Sequence, residues 1–236
     1  MYKNKTILIT GASSGLGKNI AINYAKQGGR IINLSRSEDK MKMLNIKLDK
    51  LNNLSNLYFS TDVSKYDSIK SIKNQLVKDN IYPDVIINNA AGNFLCTFNK
   101  LSENGWKRII DIVLNGSFNI YHIFGKELIS KNKKAVFLNI STTYSDTGSA
   151  LVIPSSVAKA GVDNLMKGLT TEWTRYGLRF VGIAPGPIAE SGGLDKLDPL
   201  GIFKHYNNYV NPSQRMCNPK EIAKLSLYLT SKDADY

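Results

Sequence analysis

Several residue types are scarce in this sequence of 236 residues. It has 2 cysteines, Cys96 and Cys217, which lie far apart, and 2 histidines, so neither a disulfide framework nor a metal site is indicated. No apolar run approaches the roughly 18 residues that a membrane-spanning helix needs, and we expect no targeting segment at the start. These absences argue against membrane insertion. They favour a reducing compartment, which we expect to be the cytoplasm, or the mitochondrial matrix or peroxisome if the source is eukaryotic.

The rest of the composition is that of an ordinary folded domain. Hydrophobic residues make up 42% of the chain and charged residues 21%. The net charge is +12, with 31 Lys and Arg against 19 Asp and Glu, but the basic residues are mostly lysines scattered along the chain. We interpret this excess as compositional bias that attracts phosphorylated ligands, and we expect no nucleic-acid partner.

Short apolar runs rich in β-branched residues alternate with segments of helical spacing. Strands are predicted at 5–10, 30–35, 57–60, 84–88, 135–140 and 178–184. Helices are predicted at 16–27, 38–51, 64–78, 102–131 and 155–175. Because a repeated strand–helix–strand pattern requires parallel pairing with right-handed crossovers, we predict an α/β fold. It is a single domain over 1–236 with a Rossmann-type, doubly wound parallel sheet.

The segment 188–219 departs from this regular pattern. It is rich in Gly, Asp, Asn and Pro, and we interpret it as a substrate lid that precedes a final helix at 220–229; the alternative is a solvated loop. The sequence shown stops directly after that helix. We therefore expect the final strand of the sheet to be missing from it.

Two features at strand ends predict a dinucleotide site. The segment TGASSGLG at 10–17 follows a strand and opens a helix, where glycines let the backbone approach a pyrophosphate. The second strand ends in Ser35 and Arg36, without the carboxylate that holds a ribose 2′-hydroxyl. A guanidinium matches a 2′-phosphate, so the sequence favours NADPH over NADH; the alternative for Arg36 is a solvated side chain.

Together with NNAAG at 88–92 and PGPI at 185–188, the glycine segment resembles the short-chain dehydrogenase/reductase family. The resemblance covers nearly the whole chain. It implies a nicotinamide cofactor, and homodimers or homotetramers built on the two long central helices. The residues expected to bind NADPH/NADP are Gly11, Ser13, Ser14, Gly15, Leu16, Gly17, Ser35, Arg36, Asp62, Val63, Asn89, Ala90, Lys159, Pro185, Gly186 and Ile188.

The tyrosine that usually precedes the family's catalytic lysine by four residues is missing. Lys159 is present, but Ser155 stands at that position, and a serine hydroxyl is a far weaker acid than a phenol. Tyr144, 15 residues before Lys159, follows the fifth strand instead. This rearrangement, with the segments around it, is similar to the 2,4-dienoyl-CoA reductases. The resemblance implies that Tyr144, Lys159, Asn115 and Ser155 form the active site.

The same resemblance implies NADPH-dependent reduction of a 2,4-dienoyl-CoA to a 3-enoyl-CoA in unsaturated fatty acid degradation. Tyr144 and Asn115 are the expected donors to the dienolate oxygen, and Lys159 binds the nicotinamide ribose. Asn93 and Phe94 are expected to line the acyl pocket, together with Tyr144 and Ser155. Two alternatives stay open: another short-chain reductase acting on a 3-oxoacyl thioester or other carbonyl, and a non-catalytic member of the family.

Overall fold

In the computed structural model, which describes residues 1–189 and 211–235, the apolar runs form a parallel sheet. The strands are β1 (Thr6–Thr10), β2 (Arg30–Ser35), β3 (Leu57–Ser60), β4 (Val85–Asn88), β5 (Ala135–Ile140) and β6 (Leu178–Ile183). Their order is β3-β2-β1-β4-β5-β6, and each neighbouring pair is parallel. This confirms the predicted doubly wound sheet. The strand order reverses between β1 and β4, where such sheets form a ligand crevice at the carboxyl ends of the strands.

Helices cover both faces of the sheet. They are α1 (Gly15–Lys26), α2 (Glu38–Asn52), α3 (Tyr66–Lys78), α4 (Glu103–Ile110), α5 (Gly116–Ser130), α6 (Tyr144–Thr147), α7 (Ile153–Trp173) and α8 (Pro219–Leu229). The helix predicted over 102–131 differs, because a π-helical turn, Asp111–Asn115, separates α4 from α5. Such a turn inserts one residue into the helical repeat and rotates the side chains that follow it. No helix in the described ranges is long and apolar enough to cross a membrane.

Successive side chains of the buried strands point to opposite faces of the sheet, so the hydrophobic core has two layers, one on each face. Ile7 and Ile9 of β1 face the layer of α1, α2 and α8, whereas Leu8 faces the layer of α3, α5 and α7. All three side chains are fully buried. Both faces of the sheet therefore bury apolar surface, as expected for parallel strands covered by crossover helices.

The two ends of the proposed lid meet. Ile188 forms a parallel β-bridge with Cys217, and the Cys217 N–H donates to the carbonyl of Pro187 at 2.9 Å. Residues 190–210, which include most of the proposed lid, lie outside the described residues. The prediction of a lid therefore stays a prediction, but its base is fixed to the main body of the fold.

A buried tyrosine ties α1 to the last helix. The Tyr24 hydroxyl is within hydrogen-bond distance of the Ser226 carbonyl, at 2.8 Å, and of Thr230 Oγ1, at 2.7 Å. The Tyr2 hydroxyl shares the same Thr230 oxygen at 2.6 Å. Burial raises the pKa of Tyr24 well above its usual value, so the phenol acts only as a neutral partner. This cluster holds the helix whose first turn begins at the glycine segment.

We expect Tyr24→Phe to lower the free energy of unfolding by about 1–2 kcal/mol, because it removes a buried hydroxyl and leaves its partners without it. Urea denaturation followed by circular dichroism measures the change. Tyr228→Phe is the matched control, since Tyr228 is 52% exposed on α8 and its loss should change stability by less than about 0.5 kcal/mol. Equal effects in the two variants would contradict the role of Tyr24.

Candidate active site

The glycine segment after β1 is shaped by close backbone contacts. Gly11 and Gly15 have positive φ angles of 70° and 52°, which non-glycine residues rarely adopt. A Cβ on Gly17 would lie 2.5 Å from the Gly11 carbonyl oxygen and 2.6 Å from Asn89 Nδ2. Each of these positions therefore requires glycine, either for its conformation or for its lack of a side chain.

The loop after β4 locks this segment in place. The Asn89 side chain donates to the carbonyls of Thr10, at 3.0 Å, and Gly11, at 3.3 Å. In return, Thr10 Oγ1 accepts from the backbone N–H groups of Asn89 and Ala90. The predicted cofactor residues on β1 and β4 are thus brought together at the switch point of the sheet.

The start of α1 fits a pyrophosphate. Ser14 caps the helix without a side-chain hydrogen bond, and the first turn carries no acidic residue. The N–H groups of that turn, which include those of Leu16 and Gly17, are therefore able to bind an anion without competition from a capping or acidic side chain. Among the described residues, no atom lies within 4 Å of where a Cβ on Gly186, after β6, would lie.

The end of β2 carries the groups predicted to select the cofactor. Ser13 Oγ lies 2.7 Å from Ser35 Oγ, and Arg36 is exposed. Asp62, after β3, accepts hydrogen bonds from Ser64. Burial opposes ionisation of Asp62, but the Ser64 hydrogen bonds and the positive charge of Arg36 outweigh it and lower its pKa. A carboxylate therefore stands beside Arg36, and the adjoining Val63 packs against Gly116 of α5.

Tyr144 begins α6, and its hydroxyl meets two of the predicted site residues. Ser155 Oγ of α7 lies 3.3 Å from the Tyr144 hydroxyl, and Asn93 Nδ2 lies 3.5 Å from it. Ser156 Oγ donates to the Tyr144 carbonyl at 2.7 Å, which fixes the backbone that carries the phenol. A tyrosine from α6 thus reaches the serine that occupies the family's usual tyrosine position.

Lys159 lies on the same helix as Ser155, one turn further on. It is 6% exposed, and its ammonium donates to the carbonyl of Ile140, the last residue of β5. Burial lowers the pKa of Lys159 to about 8, although the nearby Asp163 carboxylate acts in the opposite direction.

Asn115 and Phe94 are placed differently from the rest of the predicted site. Asn115 is exposed at the end of the π-helical turn, and its amide donates to Asp111 at 2.8 Å rather than to Tyr144. Phe94 packs against Gly105 and the small cluster of α4 and α7. The structure thus brings Tyr144, Ser155 and Asn93 together, and it leaves Asn115 without a contact to them among the described residues.

One half-buried carboxylate near the site, that of Asp163, was not predicted from the sequence. Asp163 of α7 accepts hydrogen bonds from Ser141 Oγ at 2.5 Å and from Asn139 Nδ2 at 3.0 Å. The only signal in the sequence was its position four residues after Lys159, which places both on one face of a helix. An acidic residue at that spacing is equally typical of a solvated face, so the sequence alone gave no reason to select it.

A doubly wound parallel sheet with a glycine-rich turn between its first strand and first helix is typical of dinucleotide-binding proteins. The sequence profile of the short chain dehydrogenase family matches residues 5–198. The chain belongs to the short-chain dehydrogenase family and is an oxidoreductase that uses a nicotinamide cofactor.

Relatives of known name support this membership. The chain is 36% identical to a probable (2E)-enoyl-CoA-producing 2,4-dienoyl-CoA reductase of Bacillus subtilis, over 99% of this chain and 92% of that protein. It is 33% identical to a probable (3E)-enoyl-CoA-producing 2,4-dienoyl-CoA reductase of Caenorhabditis elegans, over 98% of this chain and 75% of that protein. A crystal structure of a short chain dehydrogenase from Bacillus anthracis is similar with a TM-score of 0.91 and 38% identity, covering 98% of this chain and 91% of that one.

We expect Gly17→Ala to weaken NADPH binding at least about tenfold, because the new Cβ would force the glycine segment away from Asn89. NADPH fluorescence titration gives the Kd. Gly168→Ala is the control: a Cβ there meets no atom of the described residues within 4 Å, and alanine favours the helix by about 0.5–1 kcal/mol. The Kd of this control should stay at the wild-type value; an unchanged Kd in Gly17→Ala would refute the assignment of the loop.

Proposed function

We propose that the protein is an NADPH-dependent 2,4-dienoyl-CoA reductase. The observation that carries the proposal is the position of the Tyr144 hydroxyl, 3.3 Å from Ser155 Oγ, at the site where most of the family place their tyrosine. Ser155 belongs to the same helix as Lys159, so the phenol lies on the side of the crevice that holds the buried amine. The two reductases of that name that are similar over nearly the whole chain support this proposal.

The residues toward the cofactor would bind and orient it. The first turn of α1 would hold the pyrophosphate, Ser35 and Arg36 a 2′-phosphate, and Lys159 the ribose hydroxyls beside the nicotinamide. When bound, NADPH supplies a hydride, which is delivered to the far carbon of the conjugated thioester. Negative charge then moves to the thioester oxygen, and the chain must supply hydrogen-bond donors there.

Tyr144 and Asn93 are the two donors best placed for that oxygen. The Asn93 amide lies 3.5 Å from the Tyr144 hydroxyl, so both groups can face one acceptor between them. Asn115 is the second donor expected from the sequence, but in the structure its amide donates to Asp111 at 2.8 Å. The geometry therefore favours Asn93 for this role, and Asn115 would have to release Asp111 to take part.

An acyl chain has an apolar approach to these donors. Leu95 and Phe98, which follow Asn93, are 37% and 63% exposed. The Cys96 N–H donates to the carbonyl of Leu151 at 2.9 Å, which joins this loop to the segment between α6 and α7. Apolar side chains at the rim of a polar site suit a substrate that has a thioester at one end and hydrocarbon at the other.

The carbon that receives the proton decides the product. Hydride addition at C5 followed by protonation at C2 yields a 3-enoyl-CoA, whereas protonation at C4 yields a 2-enoyl-CoA. We propose the 3-enoyl product. The names of the two relatives divide on this point, because one is described as (2E)-enoyl-CoA-producing and the other as (3E)-enoyl-CoA-producing. Chromatography of the products against both standards settles the position of the double bond.

A homo-oligomer through the two long central helices is part of this proposal. Phe118 of α5 and Val157 of α7 are 43% and 45% exposed in the single chain. Apolar side chains on these helices are suited to burial against a second copy. The cellular compartment stays a prediction: the cytoplasm, or the mitochondrial matrix or peroxisome if the source is eukaryotic.

We expect Tyr144→Phe to reduce kcat for a 2,4-dienoyl-CoA about a hundredfold or more, because the oxygen that becomes negative loses a preorganised donor. Asn93→Ala should cost a similar factor, and Asn115→Ala should cost less. NADPH oxidation at 340 nm measures the rates, with a 3-oxoacyl-CoA run in parallel. A loss of less than a few-fold for Tyr144→Phe, or preference for the oxoacyl substrate, would overturn the proposed function. A larger loss of kcat in Asn115→Ala than in Asn93→Ala would indicate that Asn115, and not Asn93, is the second donor.

Removal of Arg36 tests the choice of cofactor. We expect Arg36→Ala to raise the Kd for NADPH about tenfold to a hundredfold, since a charged hydrogen bond to the 2′-phosphate is lost, and to leave the Kd for NADH unchanged. Lys26→Ala is the control, because it removes the same charge from an exposed position in the last turn of α1, away from the glycine segment. An equal increase of the Kd for NADPH in the two variants would show that the 2′-phosphate responds only to the overall positive charge of the surface and not to Arg36 itself.

A further inference from the structure

Two residues on one face of α7 hold three consecutive residues at the end of β5. Lys159 donates to the carbonyl of Ile140. Asp163, one turn later, accepts from the side chains of Asn139, at 3.0 Å, and Ser141, at 2.5 Å, which flank Ile140. The carboxylate therefore fixes the backbone on which the ammonium is seated.

The Asp163 carboxylate is itself connected to a buried polar layer. Asn139 Oδ1 accepts from Asn88 Nδ2 of β4 at 3.3 Å, and the same Asn88 amide donates to Ser117 Oγ of α5 at 2.7 Å. Asn88, Asn139 and Ser117 are each less than 5% exposed. Because these side chains satisfy one another, rotation of one leaves a buried polar group unpaired, and the layer holds a single arrangement.

Among the charged and titratable groups on the elements around Lys159, Asp163 is the one that stabilises its ammonium. Neither β4 nor β5 carries a charged residue. Tyr121 of α5 and Tyr144 of α6 contribute phenols, Asp111 of the π-helical turn is exposed and bonded to Asn115, and Asp146 of α6 is exposed. Burial alone favours a neutral amine, so the carboxylate of Asp163 is the described group that favours the ammonium.

We propose that Asp163 is a positioning residue that acts on Lys159 in two ways. Through Ser141 and Asn139 it holds the end of β5 in the conformation that seats the ammonium. Through its charge it keeps that amine protonated for binding the nicotinamide ribose. The inference rests on the proposed function only in taking Lys159 to face the bound cofactor, and it does not depend on which acyl substrate is reduced.

The first test measures NADPH binding without substrate. The Kd is determined by fluorescence from pH 6 to 9.5 for the wild type, Asp163→Asn, Asp163→Glu and the control Asp146→Asn. Loss of the carboxylate removes the attraction that favours the ammonium, so the pH at which affinity falls should drop by about one unit in Asp163→Asn. It should stay within about 0.3 units of the wild-type value in Asp163→Glu and in Asp146→Asn. An unshifted midpoint in Asp163→Asn, or an equal shift in Asp146→Asn, would overturn the proposal.

A double-mutant cycle separates positioning from general stability. If Asp163 acts through Ser141, the losses of NADPH affinity in Asp163→Asn and Ser141→Ala should not add, and the double variant should be within about twofold of the worse single variant. Additive losses would refute the proposed connection. Absence of dienoyl-CoA turnover in the wild type, with the pH shift present, would refute the proposed function while supporting the role of Asp163.

Discussion

The structure of this site depends on a buried cation. Lys159 is almost fully enclosed, and removing an ammonium from water costs several kcal/mol unless other groups compensate. The compensation comes from the Ile140 carbonyl and from Asp163 one helical turn away. Both depend on the packing of α7 against β5. The same contact that completes the core therefore also sets the charge and position of the amine that we propose binds the cofactor.

This dependence would explain how the proposed site can use a tyrosine from a different position in the chain. Tyr144 lies at the start of α6, whereas Ser155 and Lys159 lie on α7. The Ser156 side chain holds the Tyr144 carbonyl at 2.7 Å, so α7 fixes both the serine and the phenol that approaches it. What the chemistry requires is a phenol at one point in space, and more than one sequence position satisfies that requirement.

The cofactor half of the crevice is held differently. Between β1 and β4 the contacts are between backbone groups and small side chains: Thr10 and Asn89 exchange hydrogen bonds, and Gly17 leaves room for both. Such contacts leave little freedom for substitution, which is why the glycine segment is recognisable in the sequence. Around Tyr144 the contacts are between side chains from distant segments, and short motifs carry little information about them.

The sequence by itself indicated the six strands, most of the helices, the parallel pairing and the glycine segment, because apolar periodicity and backbone sterics act locally. It also indicated Tyr144, Ser155 and Lys159, through resemblance to a family with those residues at those spacings. Only the tertiary structure brought the Asn93 amide beside the phenol and turned Asn115 toward Asp111, since the π-helical turn that directs Asn115 leaves no periodic trace. The role of Asp163 likewise depends on the fold. Its hydrogen bonds come from the end of β5 and the residue that follows it, more than twenty residues earlier in the chain, and only packing of α7 against β5 creates them.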